Sequence, residues 1–153
     1  MLRNPLATSS LDELLNSSFQ QIIPESEEIS PEKVKRVILC TGKVYYDLFS
    51  ARDEKGIDDI AIIRVEQLYP FPHDLLISVL AEYPNAASIV WCQEEPMNQG
   101  AWYQIRHHLE ACTGNHHKLT YAGRKLSASP AAGSYNLHMA ELHQFVNQAL
   151  SID

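Results

Sequence analysis

Short apolar segments alternate with helical patterns from Lys35 onward, and this alternation limits the fold more than any other feature of the chain. Four segments read as buried strands, since continuous apolar runs of this length are typical of strands covered on both faces: 37–40, 60–65, 88–92 and 118–122. Between and after them, apolar residues recur at helical spacing, as at Leu76, Val79 and Leu80. Parallel neighbours need crossover connections, which helices supply. The pattern predicts an α/β fold with a mostly parallel sheet and helices on both faces.

Residues 1–33 are interpreted as a lead-in segment and residues 34–153 as the α/β domain. Ser10 followed by Glu13 resembles a capping box and predicts a short helix that begins at Leu11. The segment 19–23 predicts a short strand, which would add an antiparallel edge to the sheet. The lead-in therefore carries its own small elements before the main alternation begins.

Composition excludes several classes of protein. The chain has 153 residues, enough for one domain with a real core, and a net charge of −7, which argues against broad attraction to nucleic acid or anionic membranes. No apolar run approaches the roughly 18 residues that span a bilayer, and the N-terminal residues lack the apolar core of a signal peptide. The cysteines are three in number and lack a CxxC spacing, so reduced thiols in the cytoplasm are expected.

Two segments have the composition of an anion site. Thr41, Gly42 and Lys43 join a strand to a helix, where free backbone N–H groups and the helix dipole favour an anion such as phosphate. The segment matches neither GxxxxGK[ST] nor GxGxxG, and an ordinary strand-to-helix turn is the alternative. The loop 124–134 combines Arg124 with several hydroxyls and suits either a phosphate-bearing ligand or a neighbouring domain.

The carboxylates and histidines are weaker candidates for chemistry. Glu94 and Glu95 are adjacent, and adjacent side chains in an extended segment point in opposite directions, so a role in positioning a loop or interface is favoured over acid–base catalysis. His107 and His108 diverge by about 100° on a helix and cannot chelate one ion together. Neither HExxH nor a cysteine pair is present, so no metal site is predicted.

Four strings resemble one family, the C-terminal region of 2-oxoglutarate dehydrogenase, the decarboxylating component. They are VILCTGKVYYDL at 37–48, AIIRVEQLYPFP at 61–72, WCQEEPMNQGAW at 91–102, and YAGR at 121–124 continued by SASPA at 127–131. The lead-in segments 2–7 and 19–23 also resemble the stretch by which that family enters this domain. The resemblance covers nearly the whole chain, and four long strings in order are more specific than any short motif.

The resemblance implies a transketolase-type C-terminal domain, a three-layer sandwich with a mixed five-stranded sheet. It implies a parent enzyme that decarboxylates 2-oxoglutarate on thiamine diphosphate with Mg²⁺ and passes the succinyl group to lipoyl groups in the tricarboxylic acid cycle. The cofactor site of the family lies in preceding domains at a homodimer interface, and its GDG and NN segments are absent from this chain. No catalytic, metal-binding or cofactor-binding residue is therefore expected here, and the chain alone is expected to be inactive.

The implied partners are the preceding domains, a second protomer, and the lipoyl succinyltransferase component, in the bacterial cytoplasm or the mitochondrial matrix. Some members also bind AMP or acetyl-CoA as an effector. Candidate residues for such a site follow the strand ends, which should converge at one edge of a parallel sheet. They are Thr41, Gly42, Lys43, Arg64, Gln93, Arg124, Ser127 and Ser129. For Arg64 an ion pair is the alternative, and for Gln93 an interface contact.

Two further expectations complete the interpretation. The alternative function is a stand-alone nucleotide-binding enzyme with a doubly wound sheet, against which the missing glycine fingerprint argues. A domain that normally packs within a larger chain should expose apolar surface when isolated and self-associate weakly. The expected surface residues are 69–72, Trp91, Met97 and Trp102.

Overall fold

The computed structural model describes residues 4–114 and 117–151, which form five strands and five α-helices. The strands are β1 (Ile22–Ile23), β2 (Arg36–Cys40), β3 (Ile60–Val65), β4 (Ser88–Pro96) and β5 (Lys118–Arg124). The helices are α1 (Leu11–Asn16), α2 (Val44–Glu54), α3 (His73–Ala81), α4 (Trp102–Thr113) and α5 (Tyr135–Leu150). Short 3-10 turns occupy Pro5–Ala7 and Pro31–Lys33.

The sheet has the order β1-β3-β2-β4-β5. Strand β1 is antiparallel to β3, and the other neighbours are parallel, with Ile38 opposite Ile62 on one side and Val90 on the other. Every residue of β2 is buried, because this strand has paired strands on both sides and helices on both faces. The predicted mixed five-stranded α/β architecture is confirmed, including the antiparallel edge strand.

Two apolar layers cover the two faces of the sheet. Val37 and Leu39 of β2 point into a core shared with α3 and α4, whereas Ile38 and Cys40 point into a second core shared with α2 and α5. This division follows from the alternation of side chains along a strand. The result is the predicted three-layer sandwich.

A buried ion pair fixes the lead-in to the domain. The Arg52 guanidinium, on α2, binds the Glu25 carboxylate with one Nη2–Oε1 distance of 3.0 Å and donates a second hydrogen bond, 3.0 Å long, to the carbonyl of Ile60. The Ile62 amide donates to Oε2 of the same carboxylate at 2.7 Å. Both side chains are buried, so Glu25 neutralises a charge that would otherwise be isolated inside the protein.

Strand β4 is longer than the sequence indicates. The prediction ended it at Cys92, whereas it continues to Pro96, which lies opposite Arg124 of β5 after a shift in register. The added residues are mostly polar and lie at the end of the sheet, so no apolar run marks them.

The prediction of an exposed apolar surface is mostly wrong. Trp91 is fully buried, and Phe71 and Trp102 are also buried, because all three pack in the core between the sheet and α3 and α4. Met97 is half-buried, and Tyr69 is 89% exposed as expected. In the part of the chain that the structure describes, no helix is long and apolar enough to cross a membrane.

Candidate functional site

An apolar-lined opening lies where β2 and β4 end, and we call it the edge cleft. Its volume is about 670 Å³. It is lined by Thr41, Leu68, Tyr69, Gln93, Glu95, Gly100, Ala101, Gln104, Ile105, His107 and His108. The segments that leave β2 and β4 lead to helices on opposite faces of the sheet, which is where open α/β sheets form ligand crevices.

Gln93 forms the floor of the edge cleft and is already fully engaged. Its Oε1 accepts hydrogen bonds from Nε1 of Trp91 at 2.9 Å and from the amide of Trp102 at 3.0 Å. Its Nε2 donates to the carbonyls of Pro96 at 3.1 Å and Gln99 at 2.8 Å. The side chain therefore shapes the turn before α4, and its polar atoms are not turned toward a ligand.

His108 lines the edge cleft and pairs with His73 of α3. Nε2 of His73 and Nδ1 of His108 are 2.9 Å apart, so one ring donates and the other accepts. Phe71 stacks on His108 with ring centroids 4.9 Å apart. Partial burial lowers the pKa of His108, and the neighbouring His107 and His73 lower it further. The neutral form of His108 is thus favoured.

A second opening, the lead-in cleft, lies between the lead-in and α2. Its volume is about 660 Å³, and its walls include Leu6, Thr8, Phe19, Tyr45, Tyr46 and Arg64. The guanidinium of Arg64 lies 4.8 Å from the centroid of the Tyr45 ring and donates from Nε to Oε1 of Glu66 at 2.9 Å. Arg64 therefore makes an ion pair, which was the alternative to its role as an effector residue, and it also presents a partly exposed cation to this cleft.

The remaining candidate cations are committed to neighbouring groups. Nζ of Lys43 lies 2.6 Å from Oδ2 of Asp47 in the first turn of α2. Arg124 donates from Nε to Oε2 of Glu141 at 2.7 Å and from Nη1 to the carbonyl of Pro130 at 3.0 Å. Arg124 thereby ties the loop after β5 to α5.

The loop hydroxyls have structural contacts of the same kind. Asn98 accepts a hydrogen bond from the amide of Ser127 at 3.0 Å and donates one to its carbonyl at 2.9 Å. The Ser127 hydroxyl in turn accepts from the amide of Ser129 at 3.2 Å. These bonds lock the loop after β5 onto the turn that follows β4.

The predicted effector residues thus separate into distinct places. Thr41 and Gln93 line the edge cleft, Arg64 lines the lead-in cleft, and Arg124 with Ser127 and Ser129 holds the loop after β5. Two contacts were not predicted from the sequence: that of Arg64 with Tyr45 and that of His73 with His108. Each contact joins residues far apart in the chain, so no local spacing could reveal it.

The buried thiols are unsuited to nucleophilic chemistry. Burial raises the pKa of Cys40 well above its usual value and that of Cys92 to about 12, so both stay protonated at neutral pH. Within residues 4–114 and 117–151, no three His, Cys, Asp or Glu side chains converge as metal ligands. The features that remain are clefts and packing surfaces.

Comparison with known proteins first defines the class of fold. A solved structure described as a split-gene transketolase, an inactive β4 tetramer, superposes with a TM-score of 0.56 at 13% identity, over 88% of this chain and 43% of that chain. The domain is therefore of the transketolase type in fold. The family model described as 2-oxoglutarate dehydrogenase C-terminal matches residues 8–150, and the chain belongs to that family.

The relatives are longer proteins. The 2-oxoglutarate dehydrogenase E1 component of Haemophilus influenzae is 53% identical over 151 residues, which cover 99% of this chain and 16% of the relative. The mitochondrial 2-oxoglutarate dehydrogenase of Dictyostelium discoideum is 45% identical over 157 residues, covering 99% of this chain and 15% of the relative. The chain thus corresponds to about a sixth of the length of these enzymes.

Proposed function

We propose that this chain serves as the non-catalytic C-terminal assembly domain of a 2-oxoglutarate dehydrogenase E1 enzyme. That enzyme would carry out the oxidative decarboxylation of 2-oxoglutarate and transfer the succinyl group to lipoyl groups. The supporting observation is the match itself, which covers 99% of this chain but only 16% of the Haemophilus influenzae enzyme. The remaining length of such an enzyme would hold the catalytic machinery.

Thiamine diphosphate and Mg²⁺ would bind outside this domain. Mg²⁺ prefers several oxygen ligands in near-octahedral geometry. No three His, Cys, Asp or Glu side chains converge among the residues that the structure describes, so the groups present do not fit the metal. The role left to this domain is to pack against the preceding domains and the second protomer, in contact with the lipoyl succinyltransferase component. The compartment would be the bacterial cytoplasm or the mitochondrial matrix.

The proposal is tested by assaying the purified chain with 2-oxoglutarate, thiamine diphosphate, Mg²⁺ and an artificial electron acceptor. We expect no turnover. A chimera in which this chain replaces the matching region of the Haemophilus influenzae enzyme should retain activity. Turnover by the chain alone, or loss of activity in a folded chimera, would contradict the assembly role. Turnover of a nucleotide by the chain alone would favour the stand-alone enzyme instead.

We also propose that the domain contributes to an effector site for AMP or acetyl-CoA. Arg64 supports this role, because its side chain is only partly buried and lies on an aromatic ring beside a cleft of about 660 Å³. Lys43, at the start of α2, is the second partly exposed cation among the candidates. An anion near these groups would gain charge-assisted hydrogen bonds.

Calorimetric titration with AMP and with acetyl-CoA tests the effector site. Binding should weaken in Arg64→Ala and Lys43→Ala but not in Arg106→Ala, which removes an exposed arginine from α4. Arg124→Ala is a poor probe, since it would also release the loop after β5. Equally strong binding by the parent chain and all variants would contradict this assignment. So would the absence of binding by the parent chain and by every variant.

A further inference from the structure

The lead-in carries five exposed large apolar side chains, which we call the apolar strip. It consists of Leu6, Leu11, Leu14, Leu15 and Phe19. The last four are 70–73% exposed, although each is a large apolar residue. Leu11, Leu14 and Leu15 stand at positions i, i+3 and i+4 of α1 and therefore share one face of the helix.

A helix as short as α1 gains little stability from its own hydrogen bonds. It has 6 residues, well below the roughly 12 at which isolated helices become even marginally stable in water. Most helical stability in proteins comes from packing an apolar face, and the apolar face of α1 is turned away from both cores. The strip has the pattern of a surface that is covered in a larger assembly.

The chain that follows the strip is held beside the sheet. Two residues after Phe19, the carbonyl of Gln21 accepts hydrogen bonds from the amides of Glu66 at 2.9 Å and Gln67 at 3.0 Å. The buried pair between Glu25 and Arg52 then fixes the following residues. A surface anchored so close to its end is presented in a limited range of orientations.

We propose that the apolar strip docks this domain onto the preceding part of an E1-length chain. The inference rests on the proposed function, because it takes its partner from the same polypeptide. The matched family region is C-terminal, and the chain spans 16% of the Haemophilus influenzae relative, so nearly all of that enzyme precedes this domain. The strip lies on the segment through which such a chain would enter the domain.

A second copy of this chain is a poorer occupant. Five side chains of about 100 Å² each fall short of the roughly 800 Å² per partner that a standard stable interface buries. A covalently linked partner needs less area, because the linkage supplies a high effective concentration. The size of the strip therefore favours docking within one chain.

The test compares the isolated chain with the Haemophilus influenzae chimera by amide hydrogen exchange. In the isolated chain, the amides of residues 11–19 should exchange rapidly at every protein concentration, whereas in the chimera their exchange should slow at least about tenfold. A triple variant, Leu11→Gln, Leu14→Gln and Leu15→Gln, should abolish that protection. Glutamine has a helix propensity close to that of leucine, so the variant removes the apolar face and little else. Asn16→Gln, on the opposite face of α1, is the matched control.

Three results would overturn the proposal. They are equal exchange in the isolated chain and the chimera, protection that survives the triple variant, and protection of the isolated chain that rises with its concentration. The last result would assign the strip to a second copy. Activity of the unsubstituted chimera reports on the proposed function, and exchange in residues 11–19 reports on docking, so the failure of one is distinguishable from the failure of the other. A chimera that does not fold would also count against docking, since a compatible surface is what the proposal requires.

Discussion

His108 gives the domain a predicted dependence on pH. Partial burial together with His107 and His73 lowers its pKa, so the unfolded chain binds a proton more readily than the folded chain. The contribution of His108 to the free energy of unfolding should therefore be complete above pH ~6.5, the usual pKa of histidine. It should fall as the pH drops below that value. Urea unfolding between pH 5 and 8, taken as about 0.5-unit steps, measures this slope.

Several other titratable groups lie near His73 and His108, so the measurement needs a control. Asp74 follows His73 on α3, Cys112 donates from Sγ to the His73 carbonyl at 3.8 Å, and Glu95 shares the edge cleft with His108. His108→Gln should flatten the slope, whereas His143→Gln, at an exposed position on α5, should leave it unchanged. Identical slopes in the parent chain and His108→Gln would show that His108 does not control acid stability.

Gly123 is required by the close approach of a tyrosine. A Cβ atom at this position would lie 2.3 Å from Oη of Tyr121 and 3.0 Å from the carbonyl oxygen of Gln93. Burial raises the pKa of Tyr121 to about 12, so its hydroxyl stays protonated and donates to the carbonyl of Arg124 at 3.2 Å. Gly123→Ala should cost about 1–3 kcal/mol of unfolding free energy because the ring must move. Gly133→Ala, where nothing lies within 4 Å of the added atom, is the control, and equal stability of the two variants would contradict this account.

At the scale of elements, Gln93 joins the end of β4 to the start of α4. Gln93→Leu keeps the approximate volume but leaves Nε1 of Trp91 and the amide of Trp102 without their acceptor. Each unsatisfied buried donor costs about 1–3 kcal/mol, so we expect a loss of about 2–6 kcal/mol in urea unfolding. Gln104→Leu, at an exposed position in the same cleft, should change stability by less than about 0.5 kcal/mol. A fully stable Gln93→Leu variant would mean that water replaces the lost acceptor.

The elements themselves were largely predictable, because each depends on local periodicity. Strand β3 has the predicted bounds, and α1 begins at Leu11 as its capping residues indicate. The burial of particular side chains was not predictable, because it depends on residues far away in the chain. In the sequence, Gln93 is a polar residue at the end of a strand. Its burial becomes evident only from the position of α4 in the fold. Trp91 was expected on the apolar surface that an isolated domain exposes, but its strand lies between two parallel neighbours under α3 and α4.

The effector residues illustrate the same division. Their convergence at the carboxyl edge follows from parallel strands, and Thr41 and Gln93 do share the edge cleft. Whether a side chain is free for a ligand depends on side-chain pairing, which strand order does not determine. Arg124 is directed to Glu141 and Pro130, and Arg64 to Glu66 and Tyr45. The nucleotide site therefore stays a prediction that binding measurements must test.

At the scale of the whole molecule, the lead-in divides at Phe19 into a part that faces outward and a part that belongs to the domain. Deleting residues 1–18 removes mostly exposed side chains among those that the structure describes, and it should change the unfolding free energy by less than about 1 kcal/mol. Deleting residues 1–28 also removes β1 and Glu25, which leaves Arg52 buried and unpaired. Breaking a buried pair in this way costs about 3–5 kcal/mol, so the longer deletion should destabilise the domain strongly in urea unfolding.

Glu25→Gln in the full chain removes the carboxylate charge without deleting any residues, so it separates these two effects. The amide oxygen can still accept from the Ile62 amide, but it no longer neutralises Arg52, so most of the destabilisation should persist. If Glu25→Gln and the 1–28 deletion were both as stable as the parent chain, the lead-in would be an independent tail. The apolar strip would then lack the anchor on which its docking depends. If the 1–18 deletion leaves the unfolding free energy unchanged and the 1–28 deletion lowers it, the domain proper begins at β1. The apolar strip is then a surface that precedes the domain and is available to a partner.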